Sequence, residues 1–187
     1  MKKSIISCLF VLLLSNISCA QNIRFQLSES GKMYTSNNET YEVIHFPNTT
    51  KEELYNRILI AISSQYVNPQ KVISSITNEM ISISAFTEEI PFITVPTAMG
   101  KVSFSPGCDY VLKFYFKDNK LRIDAPVIVK VGSNKPVDFD VWLRGLKVYK
   151  KGSPNPKHQK TIDSVNNYFE SLINEILKAD SIVNEDW

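Results

Sequence analysis

The chain has 187 residues, 43% of them hydrophobic, with 21 Lys and Arg against 19 Asp and Glu. That is enough apolar material for one ordinary core, and only three cysteines and six glycines exclude a disulfide-stapled or collagen-like chain. A formal charge of +2 is too small to draw the whole molecule to nucleic acid or anionic lipid.

Read from the N-terminus, Lys2 and Lys3 precede an apolar run over residues 5–14, and residues 15–20 are small and polar. That order predicts a secretory signal peptide over residues 1–20. The run is about half the roughly 20 residues that a spanning helix needs. Two processing sites compete. Ser18 and Ala20 suit a type I signal peptidase, leaving Gln21 first, whereas Ile17, Ser18 and Cys19 form a degenerate lipobox that would leave an acylated Cys19. Both place the product outside the cytoplasm, in the periplasm or at the outer membrane or cell surface of a Gram-negative bacterium, with membrane contact only through a lipidated Cys19. Removing Lys2 and Lys3 leaves 19 basic and 19 acidic residues, so the mature chain is neutral and no nucleic-acid partner is expected. Only Cys108 certainly remains in the folded part, as a small apolar filler.

Residues 21–40, rich in Ser and Asn, read as a flexible lead-in, and 41–184 as a single domain. Residues 41–46 favour a strand that Pro47 stops. Thr50 with Glu53, and Thr49 with Glu52, offer capping boxes for a helix whose apolar stripe is Leu54, Ile58, Ile62 and Tyr66. Two strands follow, and a turn at Asn78 and Glu79 would pair Ile76 with Ile81, Ser74 with Ile83 and Val72 with Ala85. Residues 87–107, punctuated by Pro91, Pro96, Pro106, Gly100 and Gly107, read as irregular with a short edge strand at 92–95.

The clearest pattern is a hairpin of residues 110–117 and 120–129 about Asp118 and Asn119. Its register faces Phe116 with Leu121, Phe114 with Ile123 and Leu112 with Ala125. The other side sets Lys113 opposite Asp124 as an ion pair, Tyr115 opposite Arg122 as a cation–π contact, and Lys117 opposite Lys120. Residues 132–157 read as a loop with a short element at 139–146. A final helix runs from about residue 157 into the 180s, capped by Asn155 with Pro156 first, on a stripe of Ile162, Val165, Phe169, Leu172, Ile173 and Ile176.

The order β-α-β-β-β-β-α predicts an α+β fold, a curved antiparallel sheet with two helices packed on one face. Val43 to Phe46, the segment TKEELYNRIL from Thr50, and the hairpin LKFYFKDNKLRI from Leu112 to Ile123 resemble the secreted bacterial domain of unknown function 4468. The resemblance covers roughly residues 41–130 and implies a TATA-binding-protein-like fold. It implies no activity and carries no functional residue across.

No HExxH, paired CxxC, GxSxG or phosphate-binding glycine loop is present. No catalytic residue, cofactor or metal is therefore assigned. Cys108 with His45 or His158 would make a nucleophile and base, but a structural thiol and unrelated histidines is the plainer reading. Asp124, Asp138 and Asp140 lack the oxygen-rich loop that calcium wants. The basic run 147–160, with Tyr149 its one aromatic residue, reads as a solvated loop and helix start. Asn38 and Asn48 begin glycosylation sequons, which matter only in a host that uses them. The surface that invites binding is the outward hairpin face of Lys113, Tyr115, Lys117, Lys120 and Arg122, whose cations and aromatic suit an acidic envelope protein or glycan. The leading expectation is a non-catalytic envelope domain that binds a partner. The alternative is a hydrolase of envelope or glycan material, signalled by a pocket gathering two carboxylates, or Cys108 with a histidine.

Overall fold

The computed structural model describes residues 22–90, 93–98 and 100–182. The expected leader over residues 1–20, with Cys19, and Gln21 lie outside them. The described chain begins with two short strands, β1 (Gln26–Leu27) and β2 (Met33–Tyr34), then β3 (Tyr41–His45), α1 (Lys51–Gln65) and a single turn α2 (Pro69–Val72). Next come β4 (Ile73–Ile76), β5 (Met80–Thr87), β6 (Ile93–Thr97), β7 (Gly100–Phe104), β8 (Cys108–Lys117), β9 (Lys120–Asp124) and β10 (Val127–Val131). The chain closes with β11 (Val137–Asp138), α3 (Phe139–Leu146), a hairpin of β12 (Tyr149–Lys150) and β13 (Ser153–Pro154), and α4 (Gln159–Ile182).

The main sheet is wholly antiparallel and centres on β8. One edge of β8 pairs with β5, which pairs with β4. Its other edge pairs with β10 near its start and with β9 near its end, and these carry β11 and β3 outward. The alternation in β8 dictates the layering: Cys108, Tyr110, Leu112, Phe114 and Phe116 are buried, while Asp109, Lys113 and Lys117 are exposed. In β10 the register shifts between Ile128 and Lys130. That bulge lets Ile128 and Val131, three positions apart, both face the core.

Both long helices cover the inner face, as expected. Leu54, Ile58 and Ile62 of α1 and Val165, Phe169, Ile173 and Ile176 of α4 are buried, and the Phe169 ring meets Tyr110 edge-on at 5.3 Å. α3 forms at 139–146 as the sequence predicts and packs on β10. The basic run folds as the β12–β13 hairpin and the entry to α4. Asn155 caps that entry by accepting from Lys157 N at 3.2 Å.

Besides the strand expected over 120–129, which breaks after Asp124 so that Leu112 does not face Ala125, three expectations are corrected. Residues 22–40 are no lead-in outside the fold: Ile23, Phe25, Leu27 and Met33 are buried, and their backbone is held by α4. Asn166 Oδ1 accepts from Leu27 N at 2.8 Å, and Asn174 both accepts from Ile23 N and donates to Ile23 O. The folded unit thus starts at or before residue 22, not at 41. Second, β4 and β5 pair one residue away from the expected register, with Ile76 opposite Met80, Ser75 opposite Ile81 and Ser74 opposite Ser82. Thr77, Asn78 and Glu79 all belong to the turn, Asn78 taking φ 59°, and a one-residue slip exchanges the faces of a strand. Ile76 is therefore exposed, and Ser75 turns inward to accept from Tyr55 Oη at 3.0 Å. Third, the segment expected to be irregular holds a regular hairpin, β6 with β7, although Phe92 lies outside the described residues.

Candidate functional site

The surface singled out in the sequence forms around the β8–β9 turn. Asn119 takes φ 63°, which Asn tolerates better than most residues. Both turn residues also hold the entry to α1: the Asp118 carboxylate accepts from Lys51 N at 2.9 Å and the Asn119 side chain from Thr49 N at 3.2 Å. Thr50 caps the helix by accepting from Glu53 N, as the capping-box spacing predicts. The hairpin tip is thereby fixed against α1.

Pairing partners lay the outward side chains in rows across the strands. Nearest the turn, His45, Lys120 and Lys117 are neighbours. The next row runs Val43, Arg122, Tyr115, Met80, Ile76. Beyond it Tyr41 lies opposite Asp124, and Lys113 opposite Ser82. The Arg122 guanidinium sits 4.4 Å from the Tyr41 ring centre and 5.4 Å from that of Tyr115. The expected contact with Tyr115 is therefore present. The expected ion pair of Lys113 with Asp124 is not. Arg122, two residues before Asp124 on the same face of the same strand, takes that carboxylate at 2.7 Å. Lys113, Lys117 and Lys120 form no salt bridge among the described residues. Tyr41 was not foreseen, since nothing local in the sequence says that β3 lies beside β9.

The other candidates stay apart. Cys108 is fully buried; burial, then the charge of Asp109, pushes its thiol up to about 12. His45 lies at the opposite end of the sheet, because it neighbours Lys117 through Lys120 while Cys108 opens the same strand. Nine residues of strand put the two about 30 Å apart. His158 lies in a 3-10 turn just before α4. Asp124 and Asp140 are engaged by Arg122 and Arg144, and no group of three metal-ligating side chains occurs among the described residues. No described helix is long and apolar enough to cross a membrane.

A second feature was not read from the sequence. Where the C-terminal end of α1 meets β5, β8 and α4, an open cleft of about 400 Å³ is lined by Tyr66, Tyr110 and Tyr168, with Glu89 and Glu175 also on its wall. The Tyr66 and Tyr110 hydroxyls are 2.8 Å apart, with Tyr168 and Thr87 beside them on the wall. Burial is the first cause that holds all three phenols above their ordinary range. These tyrosines come from three elements remote in sequence, so no motif announces them. Phe86 also borders the cleft, over Gly107: a Cβ at Gly107 would stand 2.1 Å from that ring, and Gly107 has φ 79°.

No protein-family model matches the sequence, and no curated protein does. Two solved structures are similar. One is a TBP-like protein from Parabacteroides distasonis, 18% identical over 78% of this chain and 92% of its own, with a TM-score of 0.49. The other is a DUF4468 family protein from Bacteroides ovatus, 9% identical over 80% of this chain and 86% of its own, with a TM-score of 0.58. Identities this low speak to the backbone alone. The chain has the α+β fold of that DUF4468 family protein, a curved antiparallel sheet with helices packed on one face, as the resemblance over residues 41–130 implies.

Proposed function

We propose that the protein is a non-catalytic binding domain exported to the cell envelope, and that an acidic protein docks on the outer sheet face around Arg122. One observation carries the docking site. Lys117 and Lys120 stand directly opposite one another beside His45, with Lys113 and Arg122 on the rows behind. Like charges directly opposite destabilise a sheet, and a negative partner relieves that repulsion. The adjoining row supports a protein over a glycan, because Val43, Met80 and exposed Ile76 offer aliphatic area that a sugar chain would not bury. Export rests on the leader.

Binding is tested with poly-glutamate and polygalacturonate as acidic probes, at several salt concentrations. The expected result is salt-sensitive binding of poly-glutamate that Lys113→Glu/Lys117→Glu/Lys120→Glu weakens about tenfold or more. Tighter binding of polygalacturonate would assign the face to a glycan, and binding of neither would remove it as a site. Export is tested by intact mass and membrane partition after expression with the native leader. A mass beginning at Gln21 means a free domain, one beginning at acylated Cys19 means a lipoprotein, and an unprocessed cytoplasmic chain overturns export.

A second reading, hydrolysis of envelope or glycan material, has one observation in its favour: Glu89 and Glu175 line the same cleft. Both are exposed, unlike the carboxyl acid of a typical glycoside hydrolase site. Release of reducing ends from peptidoglycan, abolished by Glu89→Gln or Glu175→Gln, would establish it, and no release would retire it.

A further inference from the structure

The tyrosine cleft lies at the end of the molecule away from the Arg122 face and has its own chemistry. Among the described residues its wall contains four aromatic side chains and two carboxylates, and no Lys, Arg or His. Neither Glu89 nor Glu175 forms a salt bridge among the described residues. Glu89 is held at the cleft because its N–H donates to Thr87 Oγ1 at 3.1 Å. Its charge reaches both Tyr66 and Tyr168, opposing their ionisation.

The hydroxyls set the polarity of the site. Tyr66 and Tyr110 share a hydrogen bond of 2.8 Å, Tyr168 stands beside them on the wall, and Thr87 accepts from Glu89 N. Each hydroxyl has a single proton but more than one lone pair, so the group has more acceptor sites than donors. Those lone pairs favour a ligand that brings donors, and the two carboxylates favour one that is positively charged. An alkylammonium group has three donors and no acceptor, is attracted by carboxylates, and is stabilised against aromatic rings. The volume, about 400 Å³, is within the range of small-ligand sites. Tyr110, only 2% exposed, fixes the Tyr66 hydroxyl from the core side, so the site is formed before any ligand arrives.

We infer that this cleft binds an organic cation through its primary ammonium group, with Glu89 and Glu175 as counter-charges and the Tyr66 and Tyr168 hydroxyls as acceptors. The cation is either a free aliphatic amine or the side chain of a lysine presented by another protein.

The test is calorimetric titration of the processed protein with 1,5-diaminopentane, its neutral counterpart 1,5-pentanediol, and Nα-acetyl-lysine N-methylamide. Saturable binding of an amine is expected, with the diol about tenfold or more weaker. Glu89→Gln/Glu175→Gln should weaken amine binding about tenfold or more while leaving thermal unfolding unchanged, since both side chains are exposed. Tyr66→Phe, which keeps the ring, should weaken it less. Diaminopentane binding alone assigns a free amine, and tighter binding of the capped lysine assigns a protein side chain. The proposal is overturned if the diol binds as well as the amines, if the double variant binds unchanged, or if neither amine saturates.

Discussion

Asn166 sits on α4 at 6% exposure, and its side-chain carbonyl is the acceptor for the N–H of Leu27, 139 positions earlier. Removing it strands a buried backbone donor, which costs more than the bond itself contributed. Asn166→Ala should therefore lower stability by about 1–3 kcal/mol, read from the denaturant midpoint, whereas Asn167→Ala, one position along on the exposed side, should change little. Gly107 presents the opposite case, a residue needed for what it lacks. A methyl there meets the Phe86 ring while the backbone holds φ 79°. Gly107→Ala should cost about 2 kcal/mol or more, measured the same way, and should displace Phe86 from the cleft. Neither role was legible beforehand. An Asn within a helical stripe and a Gly in a Pro-rich stretch look ordinary until the distant partner is known.

At the scale of elements, the periodic segments were legible and the lone alternation was passed over. The stripes of α1 and α4, the N-cap at Thr50, and the pairs Phe114–Ile123 and Phe116–Leu121 all stand as the local pattern requires. Ile23, Phe25 and Leu27 alternate just as a buried strand should, but the Ser- and Asn-rich residues after them masked the signal. The β4–β5 register failed for a different reason: two-residue and three-residue turns suit the same sequence, and their outcomes differ by an inversion of faces. Because each of Ile23, Phe25 and Leu27 is buried, and burying such a side chain is worth about 1.5–3 kcal/mol, deleting residues 22–27 should abolish cooperative unfolding in thermal or urea melts. A persistent sharp transition would show that the element is dispensable.

For the whole molecule, the core contains groups that resist losing a proton. Burial, then Asp109, pushes Cys108 up to about 12; burial, then Glu29, does the same to Tyr149. Both shifts are upward, so the folded state keeps these protons after the unfolded chain has released them. Stability is accordingly undiminished below about pH 9 and falls as pH rises from there towards about 12. Urea midpoints across that range should decline steadily, and Cys108→Ala should flatten the early part of the decline. The same burial predicts that Cys108 reacts with a thiol reagent such as Ellman's only as fast as the protein unfolds. The fold class followed from the order of elements, because hairpins without regular strand–helix alternation leave few arrangements. The cleft did not, since its tyrosines come together only when α1, β8 and α4 pack.

The bonds between residues 22–27 and α4 also set the length of any leash. Ile23, already buried, is four positions after Cys19, and that much extended chain spans at most about 14 Å. A protein acylated at Cys19 would therefore ride close against its bilayer with little freedom to turn. Its tether would leave from beside α4, whereas the Arg122 face lies on the opposite side of the sheet. A protein cut before Gln21 would carry the same face into the periplasm with no fixed direction at all.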